Sequence, residues 1–264
     1  VSLVYYDALT TDYAFKQSNA PYGRFEYRAA ARDMAKQYPR SKKPVLGRKG
    51  KKKQEKEEEN GFHVVEGKGD KCEYRLYVSP ELGADPKAVL TAWSKAMEQS
   101  GLQGEVEWKF LFDCRKRFDT ICVYPDREVD AGKIEALLDH FRTECPAGHL
   151  RKELPTCPVK IQDGVFIAPN VRTLNKVVGY LDDELSYHQL LSGLLFLSLR
   201  LAVQQRKTPR KGATEVDDEL CRIAAQRFEE LLHLSAIDPV TMLSSSSRSP
   251  LPAWAKNAME KKAT

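Results

Sequence analysis

The segment Glu73-Tyr74-Arg75-Leu76-Tyr77-Val78-Ser79 alternates apolar and polar side chains along its length. Successive side chains of a β-strand point to opposite faces, so Tyr74, Leu76 and Val78 fall on one face of the predicted strand. The charged and hydroxyl-bearing side chains between them fall on the other face. The pattern predicts a strand with one face packed on a core and one polar face.

The elements that follow alternate between helix and strand. Asp85 is a good N-cap and Pro86 a good first residue for an amphipathic helix that ends at Gly101. Residues 106–112 alternate as a second strand, and residues 119–124 form a third strand. A second amphipathic helix begins after Asp130, and a further strand is predicted over residues 164–168. This order predicts an α+β fold with a central, mostly antiparallel sheet flanked by helices.

The C-terminal third of the chain is predicted to be helical. Residues 187–205 are apolar nearly all round, which favours a helix at the centre of the core. A second helix is predicted in this part of the sequence, with an apolar face formed by Leu220, Ile223, Phe228 and Leu231. We therefore expect residues 1–243 to form a single domain, followed by a mobile Ser/Pro-rich tail at residues 244–264.

The net charge of +5 comes from one segment of the 264-residue chain. Residues 40–60 hold nine basic and four acidic side chains, and this difference equals the whole excess. Almost no large apolar residue lies there, so we predict a flexible basic insertion. Nucleic-acid binding would need this insertion, and a solvated loop is the simpler interpretation.

Several classes of function lack sequence support. The six cysteines form no CxxC pair and the five histidines are dispersed, so we predict reduced, buried thiols and no metal site. The chain has no P-loop, no GxGxxG, no GxSxG and no HExxH, and we expect no cofactor. The longest apolar stretch, residues 190–203, is too short to span a bilayer, so no membrane partner is expected.

The predicted strands carry the side chains best suited to chemistry. Arg75 and Tyr77 share one face of the first strand, and Lys109 lies on the polar face of the second strand. Three basic residues, including Arg115 and Arg117, follow in the next turn. If these strands are neighbours, the cations form a patch suited to a phosphate dianion. The alternative is a solvated, charged sheet face with no ligand.

The order of these elements resembles two related families. One comprises the lyase domain of lanthipeptide synthetases and the OspF and SpvC phosphothreonine lyases, which carry Lys-x-His on the first strand and a catalytic Lys on the next. The closer resemblance is to the A-type Hop effectors of type III secretion, whose relatives also lie beside genes for modified peptides. The residues that carry it are Arg75-Leu76, Lys109, Arg117-Phe118-Asp119-Thr120 and Tyr124, with Pro155-Thr156, Asp163-Gly164-Val165, Glu184-Leu185-Ser186-Tyr187 and Ile237-Asp238-Pro239 further along.

The resemblance implies a phosphate-eliminating lyase, or a lyase-like partner, that acts on phosphoserine or phosphothreonine peptides. Lys109 would remove the Cα proton, and Tyr77 would assist departure of the phosphate. Phosphate binding would fall to Arg75, Arg115 and Arg117, with Asp119 and Tyr124 in supporting positions. This sequence has Arg75 and Tyr77 where the lyases have Lys and His. An unperturbed phenol has a pKa near 10, so Tyr77 would be a less effective proton donor at neutral pH than the histidine it replaces.

The alternative that the resemblance leaves open is a non-catalytic effector. Such a protein would use the same fold to bind a host or partner protein, or a phosphopeptide, without turnover. Loss of the Lys-x-His motif favours this interpretation. Both alternatives are compatible with a protein that stays in the cytoplasm or is secreted into a host cell.

Overall fold

The computed structural model confirms the α+β prediction. The described part of the chain contains six strands, in chain order β1 Phe62–Val65, β2 Tyr74–Val78, β3 Glu107–Leu111, β4 Ile121–Tyr124, β5 Val159–Gln162 and β6 Val165–Pro169. The helices are α1 Arg24–Gln37, α2 Pro86–Gln99, α3 Ala131–Glu144, α4 Val171–Val178, α5 Tyr187–Gln205 and α6 Asp218–Leu234. The structure describes residues 24–38, 62–69, 71–81, 83–111, 120–152, 159–179, 181, 186–205, 218–238, 252 and 254–256.

The six strands form one sheet in the order β1-β3-β4-β2-β6-β5. The pairings of β1 with β3, β3 with β4, β2 with β4, and β5 with β6 are antiparallel. Strand β4 therefore lies between β2 and β3, although it follows both in the chain. This order brings the polar faces of β2 and β3 to the two sides of β4.

Helices α2 and α3 cover the apolar face of the sheet. Trp93 of α2 packs edge-on against Phe141 of α3, with ring centroids 5.2 Å apart, and lies 6.2 Å from Trp108 of β3. All three rings are fully buried. Burying each ring stabilises the fold by about 1.5–3 kcal/mol. The apolar positions predicted from the alternation of β2 and β3 therefore face this core.

Aspartate side chains cap the N-termini of α2 and α3, as predicted. Asp85 accepts a hydrogen bond from Lys87 N at 2.9 Å, and Asp130 accepts one from Gly132 N at 2.8 Å. Asp85 has extended backbone at the N-cap position, and Asp130, with φ −56° and ψ 122°, is likewise non-helical, as a cap requires. These two caps fix where the helices begin, directly before the segments that pack on the sheet.

The chain divides into two compact units. One comprises Thr11–Ile167 with Leu251–Thr264 and contains α1 to α3 and the sheet up to β6. The other comprises Val1–Thr10 with Ala168–Pro250 and contains α4, α5 and α6. In this second unit, Ala202 of α5 packs against Ile223 and Ala224 of α6.

Helix α5 is less central than its composition predicts. Tyr187, Leu191 and Ala202 are fully buried, but Leu197 is 40% and Val203 60% exposed. An all-round apolar sequence therefore leaves part of the helix surface in contact with solvent. None of the helices in the described part of the chain combines the length and the apolar character needed to cross a membrane.

The remaining predictions fall partly outside the described residues. Cys72, Cys122 and Cys145 are reduced and buried, as predicted, whereas Cys221 is reduced and exposed. The basic insertion at residues 40–60 and most of the tail at residues 244–264 lie outside the described ranges.

Candidate functional site

Strand register assembles the polar face of the sheet. Tyr77 of β2 and Lys109 of β3 both pair with Cys122 of β4, and Glu107 pairs with Tyr124. Paired residues point to the same face, and so do residues two apart on one strand. The polar face thus comprises Arg75, Tyr77, Glu107, Lys109, Cys122 and Tyr124.

Two cations of this face converge on one aromatic ring. The guanidinium carbon of Arg75 lies 5.4 Å from the centroid of the Tyr124 ring. The Lys109 ammonium nitrogen lies 5.4 Å from the same centroid. At this separation a ring attracts a cation through its quadrupole. Because β4 separates β2 from β3, its terminal Tyr124 holds the two cations together.

The Tyr124 phenol keeps its proton at neutral pH. Burial raises its pKa well above the ordinary value, and the neighbouring Cys122 raises it further. The Arg75 guanidinium opposes this shift without reversing it. The ring consequently binds both cations through its π-face and does not neutralise them as a phenolate would.

The Arg75 guanidinium stays charged although it is largely covered. Burial alone would lower its pKa, but Tyr77, Tyr124, Cys72 and Cys122 act in the opposite direction, and the net shift is upward. Tyr77, which lies two residues from Arg75 on the same face of β2, makes the largest of these favourable contributions. The two candidate residues predicted on β2 therefore act on each other.

Tyr77 is buried, which the alternating pattern of β2 did not predict. Its side chain is 2% exposed, and its ring stacks on Phe166 of β6 with centroids 4.9 Å apart and planes inclined by 13°. Both faces of β2 are thus covered at this position. The simple picture of a solvated, charged sheet face does not apply to Tyr77.

The structure brings together Arg75, Tyr77, Lys109 and Tyr124 among the predicted site residues. Arg115, Arg117 and Asp119 lie outside the described residues. The alternation of the second predicted strand places Glu107 on the face of Lys109, although Glu107 was not proposed as a site residue. Cys122, two positions before Tyr124 on β4, was missed, and the same period of two could have found it.

The histidines lie elsewhere in the fold. His63 of β1 is buried, with its Nε2 atom 2.8 Å from the carbonyl oxygen of Tyr38, and its ring packs on Phe110. His188 is buried on α5. Across the described ranges, no group of three or more His, Cys, Asp or Glu side chains is arranged to hold a metal ion.

Comparison with known proteins identifies the fold. No protein-family model matches the chain, and no curated protein matches it. An effector protein from Pseudomonas syringae pv. tomato strain DC3000 has a similar structure, with a TM-score of 0.54 and 12% identity over 91% of this chain and 87% of that chain. An effector protein from Pseudomonas syringae pv. syringae strain 61 has a TM-score of 0.53 and 13% identity over 90% and 88% of the two chains. The protein therefore shares the fold of these effectors.

Proposed function

We propose that this protein is an effector-type protein that binds a phosphorylated serine or threonine side chain at Arg75 and Lys109 and eliminates its phosphate. The observation that carries the proposal is the convergence of both cations on the Tyr124 ring, each at 5.4 Å. The shared fold with two bacterial effectors supports the effector part of the proposal. Secretion into a host cell belongs to the same proposal.

The two cations differ in what they offer to a phosphate. The planar guanidinium of Arg75 donates paired hydrogen bonds to two phosphate oxygens, whereas Lys109 acts as a compact charge. Their partial burial strengthens electrostatic interactions with a bound anion, because less water screens them. Arg115 and Arg117, which lie in the sequence between β3 and β4, would add positive charge for an acidic phosphopeptide.

The proposed reaction is a β-elimination. The Lys109 ammonium first releases a proton to solvent; its neutral amine then takes the proton from Cα, and the electrons of that C–H bond form the Cα=Cβ double bond. The Cβ–O bond breaks, and its electron pair leaves with the phosphate. Tyr77 donates its hydroxyl proton to the departing phosphate and later recovers one from solvent. The products are a dehydroamino acid and inorganic phosphate, and no water is consumed.

Mass spectrometry of phosphopeptides tests this proposal. After incubation with phosphoserine and phosphothreonine peptides, the wild-type protein should yield peptide that has lost phosphoric acid. A phosphatase would instead leave the hydroxyl on the peptide. Lys109→Met should abolish the product, whereas Lys95→Met, which removes an exposed lysine of α2, should retain it. Absence of the dehydro product with every phosphopeptide, under conditions where a known lyase forms it, contradicts the catalytic proposal.

Binding without turnover is the second candidate function. The burial of Tyr77 and its stacking on Phe166 favour it, because a phenol held in this way is a poor substitute for a mobile acid. In a binding protein, Arg75→Ala should weaken phosphopeptide binding about tenfold or more, while Tyr77→Phe should leave it unchanged. In a lyase, Tyr77→Phe should lower the elimination rate. Isothermal titration together with the elimination assay separates the two functions.

A further inference from the structure

A crossover segment connects β1 to β2, and the structure describes its residues 66–69 and 71–73. Strands β3 and β4 lie between these two in the sheet, so the connection passes over the ends of both central strands. It begins beside Val106, where Lys68 forms a bridge, and ends at Cys72, which forms a bridge with Asp126. This end of the sheet is the one that carries Glu107 and Tyr124.

Two glycines allow the crossover segment to approach the sheet closely. A Cβ atom placed on Gly67 would lie 2.2 Å from the carbonyl carbon of Val106, so no larger residue fits there. At this point Lys68 N donates to Glu105 O at 3.1 Å, and Glu107 N donates to Lys68 O at 3.0 Å. The first half of the segment is therefore fixed to the start of β3.

Gly69 rests on the polar face itself. A Cβ atom on Gly69 would lie 3.0 Å from the Cβ of Tyr124 and 3.1 Å from the Cβ of Glu107. These two residues are register partners on β4 and β3. The backbone at Gly69 thus limits how far the Tyr124 side chain can shift toward this end of the sheet.

The second half of the crossover segment is held by a buried carboxylate. Asp126 is 8% exposed and accepts hydrogen bonds from Lys71 N at 3.3 Å and Glu128 N at 3.1 Å. The Lys71 side chain forms an ion pair with Glu128, and Cys72 N donates to Gly69 O at 3.2 Å. The segment is thus attached on both sides of Gly69.

We propose that the crossover segment is a positioning element of the phosphate site, in which Gly69 fixes the Tyr124 ring and thereby the point where Arg75 and Lys109 meet. This inference rests on the proposed function. Every step passes through one side chain: the Gly69 backbone leaves no room for a Cβ beside the Cβ of Tyr124, and the Tyr124 ring lies 5.4 Å from the cationic groups of both Arg75 and Lys109. A bulkier residue at position 69 would shift the ring by a few tenths of an ångström or more and separate the cations from a bound phosphate.

The test measures binding of a phosphothreonine peptide and of its unphosphorylated form. Gly69→Ala should raise the Kd of the phosphopeptide about tenfold, since misplacing binding groups by a fraction of an ångström is costly. Weak binding of the unphosphorylated form should not change. Gly193→Ala is the matched control, because a Cβ there meets nothing within 4 Å. Asp126→Asn, which loses one of the two carboxylate acceptors, should give a smaller rise in the same direction without adding an atom to the segment.

A spectroscopic titration separates failure of this inference from failure of the proposed function. The ionisation of Tyr124 is obtained from the ultraviolet difference between each protein and its Tyr124→Phe counterpart. Because burial raises this pKa, displacement of the ring should move the midpoint down toward the ordinary value in Gly69→Ala and Asp126→Asn. If the wild type binds no phosphopeptide, the proposed function fails and a lowered midpoint still supports the positioning role. If both variants keep the wild-type Kd and midpoint, the positioning role is overturned.

Discussion

Tyr124 explains how two cations come to share one place in the fold. Arg75 and Lys109 would repel each other across β4, and a ring between them offers each an attraction that needs no negative charge. A cation over an aromatic face contributes about 0.5–2 kcal/mol, more where water is excluded. Since burial keeps the phenol protonated, the ring does not become a counter-ion that competes with phosphate. One residue thereby holds the cations together and leaves their charge for a ligand.

Cys145 supplies a pH prediction at the residue scale. Its thiol follows α3 and is 7% exposed, and burial raises its pKa to about 11. In the unfolded chain the thiol ionises near its ordinary pKa, about 8.5. Between these values the unfolded chain binds fewer protons, so the free energy of unfolding should fall as the pH rises through this window. Below the window the contribution is fully present.

Urea unfolding of the wild type and of Cys145→Ala at about pH 8 and about pH 10.5 measures this effect. The wild type should lose more stability between the two pH values than the variant. Other alkaline titrations occur in both proteins and cancel in the comparison. An equal loss in both would mean that the Cys145 thiol titrates normally in the folded protein.

At the scale of elements, the helices α2 and α3 are fixed by their first residues. Asp85→Ala and Asp130→Ala each remove the acceptor for a backbone N–H, at 2.9 Å and 2.8 Å respectively. Each change should lower the free energy of unfolding by about 1 kcal/mol. The helices pack on the apolar face, so phosphopeptide affinity of the folded protein should not change.

The matched controls are Asp85→Asn and Asp130→Asn, since asparagine caps a helix about as well as aspartate. Chemical unfolding should show little loss for these variants. A loss as large as that of the alanine variants would indicate that the carboxylate charge, rather than the cap hydrogen bond, stabilises these helix ends.

The elements that sequence patterns predicted are those with a strong local signal. Alternation over residues 73–79 located β2 to within one residue at each end, and the caps located α2 and α3. Strands β1 and β5 were missed and have four residues each; β4 is equally short, but Pro125-Asp126 marks its end in the sequence. Helix α4 was missed as well, and its N-cap Asn170 makes no side-chain capping bond.

The arrangement of the site could not be predicted from local sequence patterns, because it depends on the order in which the strands pair. The sequence put Arg75 and Lys109 on the polar faces of two strands, but only the strand order shows that β4 lies between them. Gly69 was not singled out, because its requirement for glycine comes from Tyr124 and Glu107, which are distant in sequence. Pairing between distant strands, rather than propensity, decides these contacts.

For the whole molecule, the location of the charge matters more than its total. Residues 40–60 contain the whole +5 excess, so replacing them would leave a chain of zero formal net charge. The described cations of the site, Arg75 and Lys109, belong to the neutral remainder. Binding of a polyanion such as heparin depends on the summed field of many exposed charges. Binding of a phosphate at two half-buried cations depends mainly on the charges in direct contact with it.

Replacing residues 40–60 with a neutral Gly/Ser linker of equal length tests this separation. The linker keeps the spacing between α1, which ends at Gln37, and β1, which begins at Phe62. Retention on heparin should fall sharply, while the Kd for a phosphothreonine peptide at near-physiological salt should stay within about twofold, because charges beyond a Debye length of about 8 Å are screened. Unchanged heparin retention would rule out the insertion as a polyanion-binding segment. A large loss of phosphopeptide affinity would instead mean that the insertion reaches the bound peptide, and that Arg75 and Lys109 need its charge to hold the substrate.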